Sequence, residues 1–473
     1  MSRLPTALLL AFCLAASGDR ATASQLYPAH TDHPTGQTSI GVTVGDFNGD
    51  ANPDLVVANV NSSVLTVLLG NGSGGIASIQ SLPTGAAPRK IATGDWNRDG
   101  VTDLAVVVGG SHTLAIHEGN GSGTFGAPTF YGGFTSAADL AAGDFNGDGF
   151  TDIAIATGGT PPTMILLGDG DGEFALGTGA NGSGASIVAA DLNGDAILDL
   201  ALSNRGGSAA SVLFGNGDGT FDPKVDFPVG REPVSVAVGD LNRDGKADLV
   251  TANRGGAFTP DNTVSVLLGI GGGTFSPHAD FTVNSGPEWV TIGDLDGDLR
   301  PDVAAVHVGV QGVVSVLRGN GDGTLRPRED YATGGSPRHV TAGDLNRDGK
   351  LDLATANYAE NSVSVLINTG VVTSVEPIPA DAPSVRVSIA PHPVESGTRL
   401  RFQVPPGELV TARLFDARGA LVATVYDGIA ANGSFDVAWD GRGAKGARLA
   451  SGIYFLRVRS GSVVTSRAVV FAR

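Results

Sequence analysis

The chain has 473 residues, enough for two or three domains, and 41% of them are hydrophobic against 16% charged, which excludes a disordered protein. Glycine is abundant at 70 residues without a collagen-like period, which indicates many tight turns and many short strands. The formal net charge of −18 argues against nucleic acid or an anionic membrane surface as a partner.

Residues 1–23 have the pattern of a secretory signal peptide. Arg3 supplies a positive charge, residues 4–16 form a short apolar run, and residues 21–23 offer a cleavage site between small side chains. The run is too short to cross a bilayer, and no later segment reaches 18 apolar residues, so we expect no transmembrane segment. We therefore expect an exported protein, secreted or displayed on a bacterial cell surface. The only cysteine, Cys13, lies in this leader, so the mature chain has no disulfide.

A nine-residue pattern beginning with Asp occurs seven times within residues 24–370. The starts are separated by 49, 49, 47, 49, 54 and 50 residues. A second pattern, GNGDGTF or a variant of it, follows each of the first six. The intervening runs, such as PVSVAVGDL, ADLVTAN and TVSVLLG in the fifth unit, are short, rich in Val and Leu, and bounded by turn residues. Four short strands in roughly 50 residues are typical of a propeller blade.

The ends of this region predict how a ring of blades would close. The seventh repeat stops at Gly370, before its fourth strand, whereas residues 25–36 precede the first repeat and resemble a fourth strand. We therefore expect the first strand to complete the last blade of a seven-bladed β-propeller over residues 24–370. A linear solenoid is the alternative, but it would need terminal caps that the sequence does not show.

The nine-residue loops carry oxygen atoms at a spacing that suits Ca²⁺. Positions 1, 3, 5 and 9 have carboxylate or amide side chains, and position 7 can offer its backbone carbonyl, which approaches the six to eight oxygens that Ca²⁺ takes. His and Cys are absent from the loops, which disfavours zinc and copper, and the strict octahedron of Mg²⁺ fits less well. The flanking strands and an apolar position 12 exclude an EF-hand.

We therefore expect up to seven structural Ca²⁺ ions, and the alternative is a series of Asx-turns that bind nothing. The loops contain 22 of the 48 acidic residues, whose mutual repulsion a cation would relieve. The predicted metal ligands are Asp46, Asn48, Asp50, Asp54, Asp95, Asn97, Asp99, Asp103, Asp144, Asn146, Asp148, Asp152, Asp191, Asn193, Asp195, Asp199, Asp240, Asn242, Asp244, Asp248, Asp294, Asp296, Asp298, Asp302, Asp344, Asn346, Asp348 and Asp352.

The loop pattern, followed by a strand and then GNGDGTF, resembles the FG-GAP/VCBS repeats best known from the integrin α-chain propeller. The resemblance covers about residues 25–370 and implies a propeller whose calcium ions are structural and not catalytic. Glycine is usual at position 6 of the repeat, but this chain has Ala51, Ala196 and Leu299 there. A turn that requires positive φ is costly for these residues, so we expect weaker metal binding in their three loops.

Residues 371–383 contain Pro and acidic residues and are predicted to form a short linker. Residues 384–473 then contain twelve basic against six acidic residues and six strand-like runs, which predict a small Ig-like β-sandwich. The string from Trp439 to Val458 resembles the Ig-like module of the flagellar hook-cap protein. It equally resembles the C-terminal sorting domains of the bacterial type IX secretion route. The module is therefore either a sorting signal, with secretion machinery as its partner, or a spacer or adhesive module.

The sequence shows no catalytic constellation. The eight His residues lack metal-ligand spacing, and G-x-S-x-G and P-loop motifs are absent. We expect a binding or adhesion protein for a glycan, matrix or protein ligand, and not an enzyme. The alternative is a secreted polysaccharide-active lyase or hydrolase built on a calcium-stabilised propeller, because such sites are assembled from distant loops.

The connections on the face opposite the aspartate loops carry basic and aromatic residues. Such residues on an acidic protein would suit a glycan or an anionic polymer. The alternative is that these loops are ordinary polar loops and that Trp289 belongs to the core. The predicted ligand-face residues are Arg231, Arg254, Trp289, Arg338, His339 and Tyr358, beside which lie Arg89, Lys90, Arg205 and Glu288.

Overall fold

The computed structural model describes residues 25–158, 163–256, 259–309 and 312–370, and then 386–390, 398–404, 407, 409–415, 421–430, 434–439, 441–443, 452–460 and 463–471. The predicted signal peptide and the predicted linker lie outside these residues. The chain divides into two compact units, Met1–Thr373 and Ser374–Arg473. All elements of the described residues are β-strands, which confirms the all-β fold class. Within the same ranges, no helical segment has the length and hydropathy that a membrane crossing requires.

The described part of the first unit forms seven antiparallel sheets of four strands each. Its first strand, β1 (Thr31–Pro34), belongs to the last sheet. The first sheet contains β2 (Ser39–Gly45), β3 (Asp54–Asn59), β4 (Val64–Gly70) and β5 (Ile76–Pro83). The second contains β6 (Pro88–Gly94), β7 (Asp103–Val108), β8 (Thr113–His117) and β9 (Thr129–Tyr131). The third contains β10 (Ala137–Gly143), β11 (Asp152–Thr157), β12 (Thr163–Gly168) and β13 (Phe174–Leu176).

The fourth and fifth sheets contain β14 (Ile187–Ala190), β15 (Asp199–Asn204), β16 (Ala209–Leu213) and β17 (Val225–Pro228); and β18 (Pro233–Gly239), β19 (Asp248–Gly256), β20 (Thr259–Leu267) and β23 (Ala279–Thr282). The small hairpin between β20 and β23 is β21 (Gly269–Gly271) and β22 (Thr274–Phe275). The sixth sheet is β24 (Pro287–Gly293), β25 (Asp302–His307), β26 (Val313–Leu317) and β27 (Glu329–Ala332). The seventh is β28 (Pro337–Gly343), β29 (Asp352–Asn357) and β30 (Ser362–Leu366), with β1 at its edge.

The first strands of the sheets form a closed ring. Strands β2, β6, β10, β14, β18, β24 and β28 contact one another in that order, and β28 contacts β2. This cyclic arrangement of antiparallel sheets confirms the prediction of a β-propeller.

The hydrophobic core of the ring lies between neighbouring sheets. All six residues of β3, β7 and β11 are buried, because each second strand is covered on both faces by the adjacent sheets. Between the first two sheets, for example, Phe47 and Val56 pack in one cluster with Leu104 and Val106. Each repeat therefore buries its apolar side chains against the next repeat.

The ring closes through the N-terminal strand, as the sequence predicts. Strand β1 pairs antiparallel with β30, and Thr31 lies opposite Val365 while Pro34 lies opposite Ser362. Just before β1, Leu26 is buried, and its carbonyl accepts a hydrogen bond of 2.9 Å from the Thr369 N–H. The two ends of the repeat region are thus joined in one sheet.

The second unit contains two antiparallel sheets, as expected for an Ig-like sandwich. One consists of β31 (Arg386–Ala390), β32 (Thr398–Gln403) and β35 (Ser434–Trp439). The other consists, in spatial order, of β34 (Leu421–Ile429), β33 (Leu409–Phe415), β36 (Gly452–Ser460) and β37 (Val463–Phe471). Buried residues from both sheets form one core, among them Phe402, Leu414 and Leu456. The sequence patterns predicted six of these strands and missed β31.

Candidate metal loops and the opposite mouth of the ring

All seven aspartate loops lie at the same end of the first strands. In the second repeat, β6 ends at Gly94, the loop begins at Asp95, and β7 begins at Asp103. The other six repeats share this placement, so the predicted metal ligands surround one face of the ring. The opposite face is formed where the first strands begin.

Hydrogen bonds within each loop hold its oxygen-bearing side chains in place. In the second loop, Asp95 Oδ2 accepts from the Gly100 N–H at 3.0 Å, and Asn97 Oδ1 accepts from the Asp99 N–H at 3.1 Å. Asp99 Oδ1 in turn accepts from the Val101 N–H at 2.8 Å. The loop is therefore shaped by the same carboxylate and amide groups that would hold a cation, since each oxygen keeps further lone pairs.

The aspartate at position 9 has a second role that the sequence analysis missed. Asp103 is fully buried; its Oδ2 accepts from the Trp96 N–H at 3.0 Å and its Oδ1 from the Gly119 N–H at 2.7 Å. It thereby ties the start of its own loop to the glycine that opens the next turn. The equivalent residues Asp54, Asp152, Asp199, Asp248 and Asp302 do the same. In the seventh repeat, Asp352 accepts from the Leu345 N–H of its loop and from the Asn368 N–H, where the other repeats have glycine.

Burial makes these anchors reluctant to ionise. The pKa of Asp302 is raised to about 7 by burial, which outweighs the lowering effect of its two backbone donors, and the neighbouring Asp296 adds to the rise. Burial likewise raises the pKa of Asp152, Asp248 and Asp352 to about 6. A cation among these carboxylates would reverse the effect, because it stabilises their charged forms.

Two positions of each loop have left-handed backbone. At position 6, Ala51, Ala196 and Leu299 have φ values of 63°, 71° and 67°, where four loops have Gly. The Ala196 N–H nevertheless donates to Asp191 Oδ2 at 2.9 Å, the same bond that Gly100 makes in the second loop. The turn is thus retained without glycine. Position 4 is also left-handed, and three loops have arginine there: Arg98, Arg243 and Arg347.

The sixth loop brings its carboxylates closest together. One oxygen from each of Asp294, Asp296 and Asp302 lies within 4.8 Å of the other two. Among the described residues, no other three acidic, His or Cys side chains bring their ligand atoms this close together. Asp296 replaces the Asn of the other loops and lies 3.4 Å from the Arg318 guanidinium. The Asp294 Oδ1 atom is buried and has no hydrogen-bond partner within the described part of the chain. A hard divalent cation would satisfy these oxygens.

On the opposite face, five of the six predicted ligand-face residues belong to two adjoining groups. In the first, the Glu288 carboxylate forms ion pairs with Arg338 Nη1 at 2.7 Å and with Arg254 Nη1 at 3.2 Å. The Arg338 guanidinium also lies 4.7 Å from the centre of the Tyr358 ring. The second group is formed by Trp289 and His339, each next in sequence to a member of the first. Arg231 is not brought to either group by any contact in the described residues; its backbone N–H donates to Asp261.

A lysine from the far side of the ring joins the second group. Lys90 comes from β6 in the second sheet, yet its Nζ lies 3.1 Å from the centre of the Trp289 ring in the sixth sheet. The Trp289 ring stacks on His339 of the seventh sheet with 4.3 Å between ring centres. Trp289 also packs against the buried core, as the alternative interpretation expects, and its place on a ligand-binding face stays a prediction.

The first strands of the third, fourth and fifth sheets carry small or acidic side chains at or just before their N-terminal ends. Asp139 Oδ2 accepts from the Ile187 N–H of the next sheet at 3.0 Å. Ser186 and Ser235 accept from the next sheet in the same manner, at 3.5 and 3.3 Å. We call Lys90, Trp289, His339, Asp139 and Glu288 the axial cluster.

Comparisons with known proteins agree with the repeat pattern. The FG-GAP-like repeat family matches residues 46–106, 105–155, 144–202, 191–251 and 294–355, together more than half of the chain. The FlgD Ig-like domain family matches residues 394–462. No curated protein matches this chain.

Three solved structures show low overall similarity. A functionally unknown protein from Desulfotomaculum acetoxidans is 14% identical, with a TM-score of 0.46, over 66% of this chain and 98% of that one. Sqt1 from Saccharomyces cerevisiae is 10% identical, with a TM-score of 0.46, over 72% and 98%. PorZ, a surface component of the type IX secretion system of Porphyromonas gingivalis, is 13% identical, with a TM-score of 0.43, over 94% and 61%.

Proposed function

This chain belongs to the FG-GAP-like repeat family, and on that basis we propose that it is an exported, calcium-stabilised β-propeller that binds a ligand on the face opposite its aspartate loops. The single observation that carries the metal proposal is the sevenfold repetition of a loop shaped by its own carboxylates. The proposal of export rests on the leader pattern of residues 1–23.

In each loop, calcium would be held by the side-chain oxygens at positions 1, 3, 5 and 9 and by the carbonyl at position 7. The sixth loop supports this assignment most directly, because Asp294, Asp296 and Asp302 combine proximity, burial and an oxygen without a donor. The cation would stabilise the fold and take no part in a reaction, since it would bind the loops that join the first two strands of each sheet.

The ligand proposal rests on the charged and aromatic groups gathered at the opposite mouth. Glu288 is shared by Arg254 and Arg338, and the exposed Tyr358 lies beside them. Polar and aromatic side chains that converge at a ring opening are suited to recognising a glycan or a protein segment. The C-terminal Ig-like unit would serve as a sorting signal or spacer.

Calcium removal tests the metal proposal. We expect excess EDTA to lower the melting temperature of the full chain and added Ca²⁺ to restore it, because a ligand that binds only the native state stabilises it by about 2.7 kcal/mol per site at a hundredfold excess over its Kd. Mg²⁺ at the same concentration is the control and should restore less. An unchanged melting temperature in EDTA would contradict the calcium assignment.

A saccharide array tests the ligand proposal. Calcium-loaded protein should bind a defined subset of glycans, and substitution of Glu288 by Gln should weaken that binding because it releases both arginines. Turnover of a bound polysaccharide into shorter products would show instead that the alternative, a polysaccharide-active enzyme, is correct.

A further inference from the structure

The axial cluster contains a cation whose hydrogen-bonding capacity is unused. The Lys90 ammonium has three N–H donors, and within the described residues it makes no hydrogen bond and no ion pair. Its closest recorded neighbour is the face of the Trp289 ring at 3.1 Å. Asp139 and Glu288 act on it only at longer range. The half-buried Lys90 side chain therefore reaches across the ring to an indole face with its N–H donors free of protein acceptors among the described residues, which leaves them available to a bound ligand.

Neighbouring groups are unsatisfied as well. The Arg338 Nε and His339 Nδ1 atoms are buried and have no hydrogen-bond partner in the residues that the structure describes. Both belong to adjacent residues of β28, and His339 stacks on the same Trp289 ring that Lys90 contacts. Buried polar nitrogens without partners are rare in folded proteins, because each costs the free energy of its lost solvation, whether it is a donor, as Arg338 Nε is, or a ring nitrogen of a neutral histidine.

The charge of this region favours a single anionic group. With Lys90 in its ammonium form, Lys90, Arg254 and Arg338 oppose the carboxylates of Asp139 and Glu288, which leaves a formal excess of one positive charge in a chain whose net charge is −18. The other first strands contribute the uncharged Gly41, Ser186 and Ser235. One carboxylate would neutralise the excess, whereas a doubly charged phosphate would exceed it.

The pKa of Lys90 agrees with a site for an anion. The pKa of Lys90 is lowered to about 7 mainly by burial, although Asp139 and Glu288 raise it in part. The amine is therefore only partly charged near neutral pH, and an anion placed beside it would restore the ammonium form.

The surface around the cluster favours a sugar as the carrier of that carboxylate. The Tyr358 side chain is 41% exposed and lies beside the Arg338 guanidinium. An acidic pyranose combines one carboxylate with an apolar ring face that can pack on such an aromatic side chain. We therefore propose that the mouth of the ring opposite the aspartate loops binds the carboxylate of an acidic saccharide, with Lys90 and Arg338 as its cationic partners and Tyr358 as the surface for the sugar ring. This inference rests on the proposed binding function and specifies its ligand.

Titration calorimetry on the full, calcium-loaded chain tests the inference. The probes are galacturonate, glucuronate and mannuronate trisaccharides, and the matched ligand control is the neutral methyl ester of each. At least one acid should bind, and its ester should bind at least tenfold more weakly. Binding of acid and ester with equal affinity, or binding of none of the acids, overturns the inference.

Matched protein variants locate the site. Lys90→Met, which keeps the length of the side chain and removes its charge, should weaken binding of the acid at least tenfold and leave the affinity for the ester unchanged. Lys224→Met is the control, because Lys224 pairs with Asp226 on the fourth sheet, away from the ring mouth, and this variant should bind like the unmodified protein. A calcium-dependent melting curve shows that each variant is folded. Equal affinities of Lys90→Met and the unmodified chain overturn the inference.

The outcomes also separate this inference from the broader proposal. If the saccharide array gives only neutral glycans whose binding is unaffected by Lys90→Met, the binding function stands and the acidic ligand is wrong. If peptides with a free C-terminal carboxylate bind through Lys90 and no uronate does, the saccharide assignment is wrong. If neither glycans nor peptides bind, both proposals fail.

Discussion

Within one aspartate loop, the carboxylates differ in what they contact. Asp103 is buried and joins two separate backbone segments, whereas Asp99 is exposed and accepts only from groups of its own loop, the Val101 N–H and the Asn97 side-chain amide. The loop thus combines a buried anchor that would be needed with or without metal and an exposed carboxylate whose main contribution would come when a cation is bound.

Alanine substitutions distinguish these roles. In EDTA, Asp103→Ala should lower the free energy of unfolding by at least about 2 kcal/mol, since two buried N–H groups lose their acceptor. Asp99→Ala should change it by less than about 0.5 kcal/mol in EDTA, as expected for an exposed position. With saturating Ca²⁺, both variants should be less stable than the unmodified chain, because both would lose a ligand. Denaturant unfolding under the two conditions provides the measurement, and equal losses in EDTA would contradict the division.

The position of the seven aspartate loops between the first two strands of each sheet could be predicted from sequence because their spacing is local and repeated seven times, whereas their role as metal ligands stays a prediction. The anchoring role of Asp103 could not, since its second partner, Gly119, lies 16 residues away in a different turn. The left-handed turn at position 6 could be predicted from the glycines there, but the one at position 4 could not, because three loops have arginine at that position; Arg98, for example, has a φ of 60°. Every loop except the third therefore has one residue other than glycine in a left-handed turn. Weaker metal binding by the three loops that lack glycine at position 6 stays a prediction.

At the scale of secondary structure, strand β1 supplies the outer strand of the seventh sheet. It covers β30 through four residue pairs, and Asp32 accepts a hydrogen bond from the Ser364 hydroxyl. The sequence allowed this pairing to be predicted because the seventh repeat lacks a fourth strand. The contact between Lys90 and Trp289 had no such signal, since it joins sheets that are separated both in sequence and around the ring.

Removal of β1 should expose β30, whose five residues are all buried in the complete chain. A chain that begins at Thr35 would leave the backbone of β30 unpaired, and we expect a lower melting temperature and concentration-dependent association, as exposed strand edges pair with other chains. The matched control is Thr31→Val in the complete chain, which keeps the strand and should keep the association state of the unmodified chain. Size-exclusion chromatography combined with light scattering measures association, and a thermal melt measures stability. A truncated chain with the melting temperature and association state of the control would argue against closure by β1.

At the scale of the whole chain, each of the two units has its own hydrophobic core. The Ig-like unit ends in β37, which pairs with β36 over nine residue pairs. A deletion of residues 467–473 would therefore remove part of a sheet, and any loss of export in that variant would also reflect misfolding of the unit.

Expression of residues 25–373 alone tests the independence of the first unit. We expect this fragment to fold and to keep the same shift in melting temperature between EDTA and Ca²⁺ as the full chain, because all seven loops and the closing strand are retained. Circular dichroism and calorimetry would measure it. A fragment that fails to fold, or that loses its calcium-dependent shift, would show that the ring depends on the C-terminal unit.

Closure by the N-terminal strand also fixes how the ring would carry mechanical load. Leu26 and Thr369 are hydrogen-bonded neighbours, so a force applied between residues 25 and 370 acts on the seventh sheet and on its packing against the sixth. The pull is resisted by the short pairing of β1 with β30 and by the burial of Leu26 and Tyr27 against the sixth sheet, where Tyr27 contacts the Tyr331 ring, while the other five sheets lie outside the path of tension. Under tension the propeller would therefore lose its closing strand first and would keep the loops of the remaining sheets intact.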